Sequence, residues 1–324
     1  MSAARVSVLL AVVVALFFAA SLMAGKVWVP LSAWASDDTG WWIIFELRLP
    51  RAILGVGVGA VLGLSGAVLQ GYFRNPLADP GIVGVSSGAA LGAVLAIFLG
   101  LATTPALLFV FAMGGSAIVM LLLAALVGRS ASPIALVLGG TVLTSFAGAL
   151  TTLILSLAPS PFATSEIVTW LMGALTDRGF DEARLGLPLM AAGAALLLTT
   201  GRALDALSLG EPAARSLGVN LARVQWVIVA GLGLAIGASV AVTGIVGFVG
   251  LIVPHLIRPL VGERPSALLI PSALGGAALV LAADSLVRLT PGAGEVRLGV
   301  AMALIGAPFF FVLMVRLRRT LAWS

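Results

Sequence analysis

The residues that could do chemistry are few. The 324-residue chain has one histidine (His255), one lysine (Lys26) and no cysteine. Without cysteine there are no disulfides, thiolate metal sites or cysteine nucleophiles. A phosphate-binding loop needs G-x-x-x-x-G-K-[ST], because its lysine must reach the terminal phosphates. Lys26 stands in Ala-Gly-Lys-Val and fails that pattern, so ATP-driven work would need a separate subunit. Gly84-Val85-Ser86-Ser87-Gly88 fits G-x-S-x-G, and Gly63-Leu64-Ser65-Gly66 fits G-x-S-G. Ser65 or Ser86 as nucleophile would need His255 as its base. A nucleophile elbow also needs a strand–turn–helix setting, whereas closely packed membrane helices use small residues for their own sake. There is no H-E-x-x-H and no carboxylate cluster for metal-assisted chemistry.

The elements that would position these residues are membrane helices. Sixty per cent of residues are apolar and 10% charged, against about a quarter charged in soluble domains. The surplus apolar surface must face lipid, which predicts an all-α polytopic membrane protein forming one transmembrane domain over 1–324. Spans of about 20 apolar residues are expected at 6–25, 49–71, 81–101, 105–127, 134–158, 185–203, 224–242, 245–261, 267–287 and 298–316, ten in all. The first reads as a transmembrane helix rather than a cleaved signal, because further spans follow. The seventh and eighth are parted only by Thr243 and Gly244.

Basic residues sit singly between apolar runs, which orients a membrane protein and does not make a nucleic-acid face. With both termini cytoplasmic, Lys26, Arg48, Arg51, Arg178, Arg184, Arg288 and Arg297 lie outside and the other 11 of the 18 inside. The outside connection 26–48 carries Trp28, Trp34, Trp41 and Trp42 as interfacial anchors. A second outside connection, 159–184, contains a partial helix at 165–175. The inside connection 202–223 holds Leu209-Gly210-Glu211-Pro212-Ala213-Ala214-Arg215-Ser216-Leu217-Gly218. Glu and Pro suit its first turn and Gly its stop, making a capped helix that is either a plain loop helix or, through Ala213, Ala214 and Leu217, a knob that fits a partner's cleft. Glycine-rich spans after Arg51 and Arg223 run in opposite directions, the mark of an inverted repeat of the transporter kind. Scarce mid-span carboxylates disfavour an ion-coupled carrier.

Several blocks stand in a fixed order along the chain: Leu47-Arg48-Leu49-Pro50-Arg51, Ser65-Gly66-Ala67-Val68-Leu69-Gln70, Arg74-Asn75-Pro76-Leu77-Ala78-Asp79-Pro80 and Gly84-Val85-Ser86-Ser87-Gly88-Ala89. The 209–218 segment follows, then Gly247-Phe248-Val249-Gly250-Leu251-Ile252-Val253-Pro254-His255, Leu281-Ala282-Ala283-Asp284 and Gly306-Ala307-Pro308-Phe309-Phe310. Together and in this order they resemble one family, the FecCD-type permeases of type II ABC importers for iron-siderophores, haem and cobalamin.

The resemblance implies ten spans in the type II importer permease fold and a homodimer in the bacterial inner membrane. It also implies two ATPase subunits that use ATP and Mg, a periplasmic substrate-binding protein, and no cofactor on this chain. Leu209 to Gly218 would be the coupling helix. Arg48, Arg51 and Arg288 would meet acidic residues of the binding protein, and Ser130, Ala131, Ser132 and Pro133 would form the cytoplasmic gate. The passage is expected to use the fifth span, parts of the eighth and tenth, and Ser165, Val168, Thr169 and Met172 of the partial helix. The chain departs from the cobalamin permease at Pro133 and Ile134, where a Ser/Thr pair is usual, and from many members at Arg297, where Pro is usual. The expected cargo is an iron chelate, ferric siderophore or haem, with cobalamin as the alternative; with Tyr72 and His255 both toward the cytoplasmic side, the upper passage lacks the usual haem ligands apart from Met, which favours the siderophore. An intramembrane serine protease is the distant alternative.

Overall fold

The computed structural model describes residues 2–34, 39–128, 132–290 and 294–321, with side chains to 315. The described residues form helices and turns without strands: α1 (Ala3–Met23), α2 (Thr39–Trp42), α3 (Leu49–Phe73), α4 (Val85–Phe98), α5 (Pro105–Val127), α6 (Pro133–Ser156), α7 (Pro161–Leu171), α8 (Phe180–Leu198), α9 (Gly201–Leu207), α10 (Glu211–Ser216), α11 (Leu221–Thr243), α12 (Val249–Val261), α13 (Pro265–Arg288) and α14 (Leu298–Leu321). Three starts share one local cause. Thr104, Ser132 and Ser160 each accept a backbone N–H with the side-chain oxygen, and proline follows as the first helical residue. A hydroxyl fills one orphan donor, and proline lacks an N–H that would go unpaired there.

The core is built around α3. Eighteen of its 25 residues are buried, and it packs against α1, α8, α9, α11, α12 and α13. Glycine makes that enclosure possible. A methyl group on Gly59 or Gly63 would collide with the α13 backbone at Gly276 or Ser272, and one on Gly66 with the Gly250 carbonyl of α12. Such backbone-to-backbone seams suit membrane helices, which gain little from hiding apolar side chains from lipid. By contrast α6 buries only Leu136, Gly140, Leu143 and Ala147 and leaves Leu138, Val142 and Phe146 exposed.

Among the described residues seven helices are long and apolar enough to cross a membrane, or up to eight if α8 and α9, bent by 41° at their junction, count as one span. The expected spans 81–101 and 245–261 are shorter than read from sequence. They hold α4, with 14 residues, and α12, with 13. At 1.5 Å per residue each helix is about 20 Å long, short of a hydrocarbon core of about 30 Å. A 3-10 turn at Pro80–Val83 precedes α4 and an open loop at 244–248 precedes α12. Irregular backbone at membrane depth is tolerated where protein encloses it. The apolar run continues through these breaks, which is why the sequence reads as uninterrupted spans.

The two breaks belong to a repeated order of elements. In each half a glycine-rich helix (α3, α11) leads to a break, a short helix (α4, α12) and a long one (α5, α13). Both breaks end on a residue with positive φ, Gly84 at 88° and Phe248 at 67°. The halves pack crosswise, α3 on α12 and α13, and α11 on α4 and α5. Tyr72, late in α3, donates to Gln225, early in α11, at 3.3 Å, so these equivalent helices run in opposite directions.

Candidate functional site

At one end of the bundle lie the starts of α3 and α14 and the ends of α1 and α13. Arg51 donates from Nε to both oxygens of Asp284 (3.1 and 3.0 Å) and from Nη2 to Asp284 Oδ1 and Glu295 Oε2, each at 2.9 Å. Arg288, one turn beyond Asp284 on α13, pairs with Asp284 Oδ2 at 2.9 Å and donates to the Ser21 and Ala24 carbonyls (2.9 and 3.2 Å) and to the Ser21 hydroxyl. Arg48 donates to the carbonyls of Leu22, Met23 and Val27 at 2.9, 3.0 and 2.6 Å. These are orphan carbonyls of the closing turn of α1 and the residues after it, which no intrahelical donor serves.

The structure turns the three expected docking arginines inward. They are 7%, 8% and 3% exposed, and their guanidinium groups tie α1, α3, α13 and the segment before α14 together. A guanidinium in an apolar setting is stable only when its donors are satisfied, and Asp284 and the α1 carbonyls satisfy them here. Glu295 also accepts from the Thr176 hydroxyl at 2.8 Å. Burial raises its pKa, but Arg51 and Thr176 outweigh that and hold the carboxyl below its usual range. Asp284 and Glu295 were missed as site residues. The available signal was an aspartate placed four residues before an arginine at the end of an apolar span.

The partial helix lies at Pro161–Leu171, four residues earlier than expected at its start. Ser165, Val168, Thr169 and Met172 follow an i, i+3, i+4, i+7 spacing and share a face, opposite the buried Ile167 and Trp170. Ser165 and Thr169 line a cavity of about 640 Å³ with Glu166, Arg178 and Arg297, under the turn between α4 and α5; Val168 and Met172 lie outside its lining. Burial lowers the Arg178 pKa, partly offset by Glu182 and Asp177. Gly173 (φ 70°) stops the helix. Its carbonyl accepts the Gly299 N–H at 3.0 Å, and the next N–H, of Ala174, donates to Thr243 O at 2.7 Å. The end of α7 is thus joined by backbone alone to the end of α11 and the start of α14.

At the opposite end, α10 is six residues long, shorter than the expected 210–218, with Gly210 (φ 99°) and Gly218 (φ 83°) outside it. Glu211 and Arg215 approach to 3.6 Å, and the Ser216 hydroxyl donates to the Pro212 carbonyl at 3.1 Å. Ala214 is fully buried and Ala213 half-buried, while Leu209 and Leu217 are 69% and 66% exposed. Asp205 of α9 accepts from Arg264 Nε (2.7 Å), Ser266 N (2.8 Å) and the Ser266 hydroxyl (2.7 Å). These bonds fix α9, and α10 packed on it, to the start of α13. Burial pushes the Asp205 carboxyl up, but its bonds to Ser266 and Arg264 pull it below its usual range. Of the expected gate, Ser132 caps α6 and Pro133 is its first residue, while Ser130 and Ala131 lie outside the described residues.

The serine nucleophile reading has no support in this geometry. Ser65 is fully buried, and neither its hydroxyl nor His255 Nδ1 has a hydrogen-bond partner among the described residues. Ser86 lines a central cavity with Asp79 and Phe248, whereas His255 lines a cleft at the α10 end.

Comparison with known proteins bears directly on this arrangement. The model of the FecCD transport family matches residues 10–316. The cobalamin import system permease protein BtuC of Halobacterium salinarum is 41% identical, over 86% of this chain and 74% of that one. The molybdate import system permease protein MolB of Haemophilus influenzae is 36% identical, over 90% and 86%. A solved inward-facing conformation of a metal-chelate type ABC transporter is 34% identical and superposes with a TM-score of 0.86, over 97% of this chain and 99% of that one.

Proposed function

The chain belongs to the FecCD transport family, and from that membership we propose a working unit and a cargo. The chain is a multi-pass permease of a type II ABC importer and not itself an enzyme. In the proposed unit, two copies enclose the passage and two ATPase subunits dock on α10 at the cytoplasmic end. A periplasmic binding protein delivers cargo at the Arg51 end, and both termini are cytoplasmic. The observation that carries this is α10. A six-residue helix with one side chain fully buried and two exposed leucines at its flanks contributes little to its own fold, and such a surface fits a partner's cleft.

Force has a continuous route. A displacement of α10 moves α9, the three bonds at Asp205 carry it to the start of α13, and α13 runs to Asp284 at the other end. Docking at that end involves Arg48, Arg51 and Arg288 through exchange. Glu295, whose side chain is 22% exposed, is the member able to yield Arg51 to an acidic group of the binding protein. The passage runs along the α7 face of Ser165, Val168, Thr169 and Met172 and leaves past a gate at 130–133.

For cargo we favour a bulky metal chelate of the cobalamin class, because the 41% identical relative carries that name. An iron chelate, siderophore or haem, is the second reading. It is supported by the metal-chelate neighbour, and a passage face with neither His nor Tyr favours a siderophore over haem, whose iron takes such ligands. The test is ATP-driven uptake in proteoliposomes containing the permease and its ATPase, with labelled cobalamin, ferric siderophore and haem supplied on their binding proteins. Cobalamin uptake that stops without ATP is expected. Uptake of an iron chelate alone would replace the cargo assignment, and uptake that persists without the ATPase subunits would overturn the unit.

A further inference from the structure

Beside α10 the bundle end opens into a cleft of about 370 Å³, with Gln70, Arg74, Ser208, His255, Arg258 and Glu263 in its wall. Its cationic groups are unevenly satisfied. Arg258 donates from Nη2 to Gln70 Oε1 at 2.8 Å, yet its buried Nε has no partner, nor has His255 Nδ1. Arg74 closes α3 in a left-handed conformation, φ 51°, and its backbone N–H serves the last α3 carbonyls. Its guanidinium is exposed and makes no hydrogen bond or ion pair to any described residue. Glu263 stands exposed in the wall and reaches neither arginine in an ion pair. Two guanidinium groups therefore face one unpaired carboxylate.

A cation at the end of a helix can be there for the helix dipole alone. That accounts for a charge near the α3 terminus, but not for a cleft holding a second arginine with an unused, buried N–H. The cleft lies at the end of α3, the most enclosed helix, and Ser208 in its wall stands two residues before the glycine that opens α10. It therefore adjoins the surface that α10 offers to a partner.

We propose that this cleft receives an acidic side chain, Asp or Glu, from the ATPase subunit that docks on α10. This rests on the function proposed above and adds a second, charge-directed contact to the first. Planar guanidinium groups bind carboxylates through paired N–H donors, and Arg74 is the member free to swing onto one. Such a contact chiefly fixes register and encounter rate, which a six-residue helix without a second point of attachment fixes poorly.

The composition of the chain provides a direct test. Its one lysine, Lys26, lies at the opposite end, where it donates to Gly294 O at 3.1 Å. Arg74→Lys therefore places the one side-chain amine at the α10 end. In the assembled complex a water-soluble carbodiimide activates a neighbouring carboxylate, the amine displaces the activating group as a urea, and an amide remains. Peptide mapping should find position 74 joined to an Asp or Glu of the ATPase subunit. A product joined only to Glu263 of the same chain, in complexes that stay assembled, would overturn the proposal. In parallel, Arg74→Gln should weaken ATPase binding roughly tenfold with unchanged Tm. Arg202→Gln, exposed at the same end but outside the cleft, should change it by less than about twofold. Equal losses in both variants, or loss of retained anionic lipid at unaltered ATPase affinity for Arg74→Gln, would also overturn it. Failure of the unsubstituted permease to assemble with its ATPase would instead sink the reading on which the proposal rests.

Discussion

The two ends of the bundle use charge in opposite ways. At the Arg51 end, two arginines share one aspartate that is 1% exposed, and a third seals the turn of α1. At the α10 end, Arg264 is 73% exposed beside Asp205, Arg215 is 63% exposed, and Arg74 has no partner among the described residues. Buried ion pairs are weak evidence of net stability, because desolvation offsets their attraction; breaking one is costly, because it strands the other charge. The first end is thus intolerant of change, whereas the second can be altered without unfolding. An importer needs both, a fixed frame where helices converge and a compliant surface where a soluble motor engages.

The largest effect should come from the buried end. Asp284→Ala strands Arg51 and Arg288 and should cost about 3–5 kcal/mol, seen as low accumulation in the membrane and a lower Tm in detergent. An unchanged Tm would show that Glu295 alone satisfies both arginines, and the contrast between the ends would fail.

A smaller, pH-dependent effect belongs to Asp205. Its carboxyl titrates lower when folded than when unfolded, so its contribution is fully present above the ordinary Asp value of about 3.9 and lost as pH falls through the folded value. Asp205→Asn should lower Tm by an amount constant from pH 8 to 5 that shrinks below about pH 4. With Arg264 this exposed, the charge term should stay under about 1 kcal/mol. A difference that persisted at low pH would show the tether to be shape rather than charge.

The smallest stability effect should be that of Leu217→Glu, within about 0.5 kcal/mol because the side chain is mostly in solvent. Stimulation of ATPase activity should nevertheless fall severalfold if α10 is the docking element. A large Tm loss would mean that α10 supports the fold after all.

The sequence carried the ends differently too. Glu-Pro before Ala-Ala and Gly after it name a short helix whatever surrounds it, so α10 was legible to within two residues at each side. The Ser/Thr-Pro starts of α5, α6 and α7 are equally local. Arg48, Arg51 and Arg288 stood out by their position in the sequence, but their direction did not. Position at a span end says that a charge can reach water; only tertiary structure says whether it turns inward, and here Asp284, 233 residues from Arg51, decides it. The short α4 and α12 escaped for the complementary reason. Apolar residues line the breaks before them as they line helices, so hydropathy saw no interruption.

The joint where α7, α11 and α14 meet is made of amides and carbonyls: Ala174 to Thr243 and Gly299 to Gly173. No side chain takes part in those two bonds. Residues lining the cavity beside it can therefore drift without loosening the joint, and if that cavity belongs to the proposed passage, a lineage can retune what passes while keeping its machinery. On that view a change of diet in this kind of importer is evolutionarily cheap, and the lining is where such a history would be written.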